Sequence, residues 1–323
     1  MTDLEPSVRE GGLLAAGRPV VVLYSGGRDS TCLLDVATRI AGPPAITALH
    51  VNYGLREAAD DDERHCAETC TRLGVTLVVR RAGDVGRERR GNLQAWAREL
   101  RYSAARELAG ACAADIATGH TATDQVETIL YRLASSPSRR ALLGMRPKDD
   151  SDPPLIRPLL SVTRARTAAH CRARGLAWRE DESNATDTYA RGRVRHGLVP
   201  ALEAIHPAAQ ANVLALAQTL RDEAAVLDEL VDSVLGGASA IELATLRELA
   251  PALRRLVVQR LADEAAGGPA AGVGRRADEV AQLAESGTAA LDLPAGVRAT
   301  ARRGVLTFAP TPPIVTGPGA GST

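Results

Sequence analysis

The feature that most constrains this chain is a short apolar run that stops abruptly. Pro19-Val20-Val21-Val22-Leu23-Tyr24 leads into Ser25-Gly26-Gly27-Arg28-Asp29-Ser30, and Cys32, Leu33, Leu34, Val36 and Ala37 then follow at helical spacing. A β-branched run too short for a helix reads as a buried strand, and the paired glycines read as a tight turn. Asp29 and Ser30 are good helix-entry residues. A strand that enters a helix through glycines brings consecutive N–H groups and a helix N-terminus to one spot, which favours an anion. Ser25 and Ser30 add hydroxyls. No Gly-Lys-Ser/Thr follows, so this is not a Walker loop, and the glycine spacing is not that of a dinucleotide fingerprint.

The same alternation continues. Ala45 to Val51, Thr76 to Val79 and Asp115 to Thr118 read as further strands, separated by helical stretches at Asp60 to Leu73, Asn92 to Gly110 and Asp124 to Leu133. Strands alternating with helices at this spacing predict an α/β fold, a parallel sheet with helices on both faces. More helix is expected from Thr163 to Gly175. From about Pro207 the chain turns alanine- and leucine-rich, with helical stretches at Pro207 to Leu235, Ile241 to Leu249, Pro251 to Ala265 and Arg275 to Glu285. Short strand-like pieces come last. The expected organisation is a first domain over 1–206, a smaller, mainly helical domain with short C-terminal strands over 207–309, and a disordered tail over 310–323.

The 323 residues balance 39 basic against 39 acidic groups, so the net charge names no partner. Position says more. Arginine crowds Arg80 to Arg106, and no acid interrupts Arg132 to Arg146; acids collect in Asp60-Asp61-Asp62-Glu63 and the C-terminal third. No apolar run approaches the ~20 residues of a membrane span, and the first residues lack the apolar core of a secretory signal. Five cysteines at irregular spacing read as reduced thiols. The expectation is a cytoplasmic protein with no membrane partner.

Ser-Gly-Gly-x-Asp-Ser after an apolar strand resembles the pyrophosphate loop (PP-loop) of the N-type ATP pyrophosphatases. Further strings resemble one family of that superfamily, in order. They are His50-Val51-Asn52-Tyr53-Gly54-Leu55-Arg56, Asn92 to Tyr102 with Arg98, Arg101 and Tyr102, Thr118-Gly119-His120-Thr121-Ala122-Thr123-Asp124-Gln125-Val126-Glu127-Thr128, Arg157-Pro158-Leu159-Leu160, Asp181-Glu182-Ser183-Asn184 and Arg191-Gly192-Arg193-Val194-Arg195. Together, over about residues 19–205, they resemble the tRNA(Ile)-lysidine synthases. Tyr53 stands where that family usually has histidine, Thr121 and Thr123 where it has a histidine and an acid, and Gly192 where it has asparagine. Ser135-Ser136-Pro137-Ser138 replaces a glycine-rich stretch.

The resemblance implies a PP-loop fold and a ligase that forms a carbon–nitrogen bond. ATP adenylates the wobble cytidine of an isoleucine tRNA with a CAU anticodon, and free L-lysine then displaces AMP. It implies ATP and Mg²⁺ as cofactors and a possible homodimer. Ser25, Gly26, Gly27, Arg28, Asp29 and Ser30 would bind ATP, with His50 and Asn52 on the adenine side or satisfied within their own loops. Asp29 is either a magnesium ligand or a helix cap. Asp124 and Glu127, three apart at a helix start, would face the loop, with Asp124 as a cap the alternative. Arg98 joins them as a catalytic group, and Arg101, Arg191, Arg193 and Arg195 would meet tRNA phosphates. The last three alternate, so an extended segment would set them on one side as a comb. Two other readings stay open. One is a different PP-loop enzyme (a thiolase or an amidating ligase), although no Cys-x-x-Cys pair is present. The other is an inactive paralogue that binds only RNA or nucleotide.

Overall fold

The computed structural model describes residues 4–55, 59–85, 93–136, 138–180 and 190–313. The Asp181-Glu182-Ser183-Asn184 string, Arg56, Asn92, Pro137 and tail residues 314–323 lie outside them. The chain forms two compact units, 1–218 and 219–323.

The first unit is built on a five-stranded parallel sheet. Strands β1 (Val20–Leu23), β2 (Ile46–Asn52), β3 (Thr76–Arg81), β4 (Asp115–Ala117) and β5 (Leu155–Ile156) pair in the order β3-β2-β1-β4-β5. Val20 lies beside both Ile46 and Asp115, so β1 sits mid-sheet with neighbours on both edges. Its apolar run is buried on both faces, as a central parallel strand requires. Helices α2 (Arg28–Ala41), α3 (Ala59–Leu73), α4 (Leu93–Cys112) and α5 (Ala122–Ser135) are the crossovers. On one face Val20, Val22, Leu33, Leu34, Val36 and Ile40 form a core with Cys66 and Leu176; on the other Val21, Leu49, Leu100, Ala105 and Ile116 form a second. Each fully buried aliphatic side chain contributes about 1.5–3 kcal/mol, so the alternation along β1 anchors both layers.

The polar start hides a helix, α1 (Leu4–Glu10), whose Leu4 and Val8 enter the first core. After α6 (Arg139–Leu142) and β5 comes α7 (Arg164–Ala173), which falls within the expected Thr163 to Gly175 stretch and is capped by Thr163. It packs against α2. Buried Asp35 of α2 accepts from His170 Nε2 at 2.8 Å and from Arg174 Nε at 3.3 Å, pinning the two helices together. Burial alone would raise the Asp35 carboxyl, but the His170 and Arg174 bonds outweigh it and hold it below the usual range.

The expected arginine comb is overturned. Arg191 and Arg193 lie in α8 (Ala190–Arg193), which runs through a π-helical turn at Val194–Leu198 into α9 (Val199–Ile205). A helix throws alternate residues to opposite sides, so the three cannot share one. Val194 and Val199 instead pack on Val126 and Leu130 of α5, which is what winds the segment.

Helix α10 (Ala209–Leu235) begins in the first unit, where Val213 and Leu214 join that small cluster. The units therefore divide at Gln218, inside a helix, rather than at 206. The second unit holds β6 (Ala240–Glu242), α11 (Leu243–Glu248), α12 (Pro251–Ala266), α13 (Ala277–Ala281), and β7 (Thr288–Leu293), β8 (Val297–Arg302) and β9 (Val305–Pro310). Its antiparallel sheet has the order β6-β9-β8-β7. Ile241, expected in a helix, pairs with Leu306 as a strand residue, and Pro310, expected in the tail, ends β9. Among the described residues no helix is long and apolar enough to cross a membrane.

Candidate active site

The loop after β1 closes on itself through hydroxyls. Ser30 Oγ donates to the Gly27 carbonyl at 2.8 Å and meets Ser25 Oγ at 3.1 Å. Gly26 has φ +77°, and a Cβ there would fall 3.1 Å from Cys66 Sγ, so both conformation and space demand glycine. Gly27 is the N-cap of α2 and has no side chain to cap it, leaving first-turn N–H groups without intrahelical acceptors. Gly119, at the exit of β4, backs the loop: a Cβ on it would lie 3.1 Å from the backbone of Asp29 and Ser30. Gly119 belongs to the Thr118–Thr128 string, but nothing in that string places it against the loop.

Asp29 is therefore not the cap. It is the second residue of α2, and its carboxylate accepts from Thr167 Oγ1 at 2.5 Å, Arg28 Nε at 3.1 Å and Arg164 Nε at 3.4 Å. Asp124 belongs to the cap of α5. With N-cap Thr121 it closes a capping box at the head of α5, accepting from Thr121 N and Oγ1 at 2.8 and 2.7 Å. Its other oxygen accepts from Arg164 at 2.8 Å. Burial opposes its charge, yet the Arg164 field and the Thr121 bonds prevail and keep its carboxyl low. Glu127, one turn on and 3% exposed, accepts from Arg195 Nε at 2.7 Å and from Arg164 at 3.4 Å. The bond to Glu127 pushes the Arg195 guanidinium upward.

Asp29, Asp124 and Glu127 thus meet around Arg164, with Arg195 closing the other side. Arg195, expected on tRNA, is turned into this cluster. Arg164 and Thr167 were missed by sequence reasoning. The one available signal was electrostatic: α7 opens with arginine and has no acid in its first turn, against the helix dipole.

The other expected residues lie nearby or apart. Arg98 and Arg101 stack over Tyr102, at 4.6 and 5.5 Å from its ring centre, so the three residues cluster. Tyr53 lies 6.1 Å from Trp96, centre to centre. His50 is buried with Nδ1 3.0 Å from the Tyr24 carbonyl, and Asn52 donates to Asp60 and Glu63 at 3.2 and 3.0 Å. Both are held within their own surroundings. His120, between β4 and the capping box, is pushed down to about 4, by burial first; Asp124 pulls upward, while Arg157, Arg101 and Arg191 press downward. It is neutral near pH 7.

A family model described as a PP-loop domain matches residues 9–202, more than half of the chain. The tRNA(Ile)-lysidine synthase of Salinispora arenicola is 37% identical over 309 residues, covering 91% of this chain and 92% of that protein. The chain belongs to the tRNA(Ile)-lysidine synthase family. The family member from Pseudomonas fluorescens is 36% identical over 72% of this chain, and the one from Dehalococcoides mccartyi 31% over 90%. The chain spans 55% and 64% of those two lysidine synthases. Among solved structures, the U34-tRNA thiolase NcsA from Methanococcus maripaludis aligns with a TM-score of 0.56 at 17% identity, over 67% of this chain and 76% of that one. That likeness establishes the fold alone.

Proposed function

We propose that this chain ligates free L-lysine to C2 of the wobble cytidine of the CAU-anticodon isoleucine tRNA. The cytidine O2 attacks the α-phosphorus of ATP and pyrophosphate leaves; the lysine amine then attacks C2, the C2–O bond breaks, and AMP departs. Adenylation makes a poor leaving oxygen a good one, so the protein has mainly to position reactants and balance charge. The observation that carries the reading is the convergence of Asp29, Asp124 and Glu127 on Arg164 beside the loop after β1, in a chain of this family. The N–H groups of that loop suit the phosphates of ATP.

Magnesium fits the donor set in kind, since carboxylate oxygens suit it and it ordinarily takes one or two of them along with substrate phosphates. Among the described residues no group of three or more acid, histidine or cysteine side chains is arranged to hold a metal alone. Asp29 is the carboxylate that would hold magnesium brought with ATP. The ion would screen phosphate charge. Arg164 and Arg195 meanwhile hold Asp124 and Glu127 in place, and against the effect of burial the Arg164 charge keeps the Asp124 carboxyl low. A homodimer and a cytoplasmic setting belong to the same reading.

The test is incubation with labelled lysine, ATP and bulk tRNA. Label in tRNA with matching AMP release supports the ligase. AMP that appears only with ammonia or a sulfur donor supports the other PP-loop chemistries, and neither product supports an inactive binder.

A further inference from the structure

A second group of arginines stands beside the carboxylates, and it is arranged differently. Arg164 and Arg195 spend their charge on acids. Among the described residues Arg101, Arg132 and Arg191 have no carboxylate partner, and the carboxylate contact of Arg157 is a long one, 3.6 Å to Asp149. The Arg157 side chain is only 11% exposed. The Nε atoms of Arg101 and Arg157 are buried with no hydrogen-bond partner. A buried guanidinium N–H left unused is costly, and natural structures seldom keep one without a reason.

These four come from separate elements, of which Arg157 stands at the carboxyl end of the first sheet. Arg101 is on α4, Arg132 on α5, Arg157 directly follows β5, and Arg191 is on α8, which packs against α5. That end of an open parallel sheet is where ligands bind. Two of the four are fixed through one loop. Arg132 donates to the Gly144 carbonyl at 2.8 Å and Arg157 to the Arg146 carbonyl at 2.7 Å, while Gln125 grips Met145 between them through both its amide atoms. The loop orients the guanidiniums without neutralising them. Their fields overlap: Arg157 and Arg191 act on both His120 and Arg132, and Arg101 also acts on His120. Like charges held together and left unpaired are the signature of a site that awaits an anion. Arginine's planar fork suits a phosphate better than a point charge would.

We propose that Arg101, Arg157 and Arg191, with Arg132 behind them, bind one phosphate group of the RNA substrate beside the reacting nucleotide. This rests on the lysidine-synthase reading. The phosphates of ATP have the N–H groups of the loop after β1 and the Arg28 guanidinium, whereas these four arginines gather around the β4 and β5 ends. A phosphodiester held there would fix the reacting nucleotide against Asp124 and Glu127. Arg132 and Arg157 then join Arg101 and Arg191 as substrate-binding residues.

The test uses the full chain and a synthetic anticodon stem-loop RNA, with affinity measured at several salt concentrations. Wild-type binding comes first; if the RNA does not bind at all, the function reading itself fails. Arg191→Gln is the clean variant, because the residue is exposed and has no carboxylate partner among the described residues. Arg157→Lys is the second and keeps the charge while losing the fork. Each should weaken RNA binding about tenfold, and Arg191→Gln should lower the salt slope by about one. Affinity for ATP should stay unchanged. A neutral methylphosphonate placed at one linkage next to the wobble nucleotide should cost wild type the same factor and cost Arg191→Gln nothing more. Weakened ATP or pyrophosphate binding with RNA binding intact would assign the arginines to the nucleotide phosphates and overturn the proposal. Unchanged binding of both, with a lowered melting temperature for Arg157→Lys, would make them braces of the 144–147 loop and overturn it as well.

Discussion

Asp29 joins the loop after β1 to α7 and to the carboxylate cluster. Asp29→Asn keeps the Thr167 bond and the shape while removing the charge. It should leave the melting temperature close to wild type and lower kcat by about two orders of magnitude, since one charged contact made in the transition state is worth roughly 3 kcal/mol. The check is AMP release by the folded variant; a near-normal rate would remove Asp29 from the chemistry. At this scale, legibility followed sequence distance. Ser25 to Ser30 could be read because the turn, the glycines and the helix start are all local. Arg164 could not, because its carboxylate partners are 135, 40 and 37 residues away. Arg195 was read as a surface residue because nothing in an alternating Arg-x-Arg-x-Arg string shows that Glu127 lies opposite its last member.

Asp35 is one of the residues that hold helix α7 to α2, beside the Asp29 contacts of Thr167 and Arg164. Asp35→Ala should therefore act twice. Loss of the buried pair should cost about 3 kcal/mol of stability, and slackened placement of Arg164 and Thr167 should reduce turnover in whatever fraction stays folded. The pH dependence has a definite sign. The folded carboxyl lies below its ordinary value, so its contribution is complete above the unfolded value near 3.8 and is lost as acid carries the pH down through the folded one. Wild type should lose stability across that acid range, and Asp35→Ala should show a flatter dependence there, read by urea melts at a series of pH values. An equal slope in both would leave Asp35 without this role. The sequence marked the start of α7 through Thr163 but not what α7 is packed on. It also took residues 191–195 as extended, because the alternation of charge outweighed Val194 and Val199, whose packing on α5 winds the segment.

Across the whole molecule, the change of composition near Pro207 read as a domain boundary, yet the first unit runs on to Gln218. The reason is the contact of Val213 and Leu214 with Val126, Leu130, Val194 and Val199, which no local pattern announces. A chain cut after His206 should bind ATP with stability reduced by about 2 kcal/mol, the rough value of two partly buried aliphatic side chains; one cut after Gln218 should not show that loss. Equal melting temperatures for the two would return the boundary to 206. The parallel sheet itself was legible from alternation, and a β1 that is apolar on both faces fits its place in the middle of the sheet. The central claim is chemical, and the most direct measurement of it is nucleoside analysis of the CAU-anticodon isoleucine tRNA after reaction with ATP and labelled lysine. The account predicts lysidine at the wobble position, one AMP for each lysine joined, and no product from a tRNA whose wobble base is uridine. AMP release with unmodified cytidine, or equal labelling of the uridine tRNA, would contradict it.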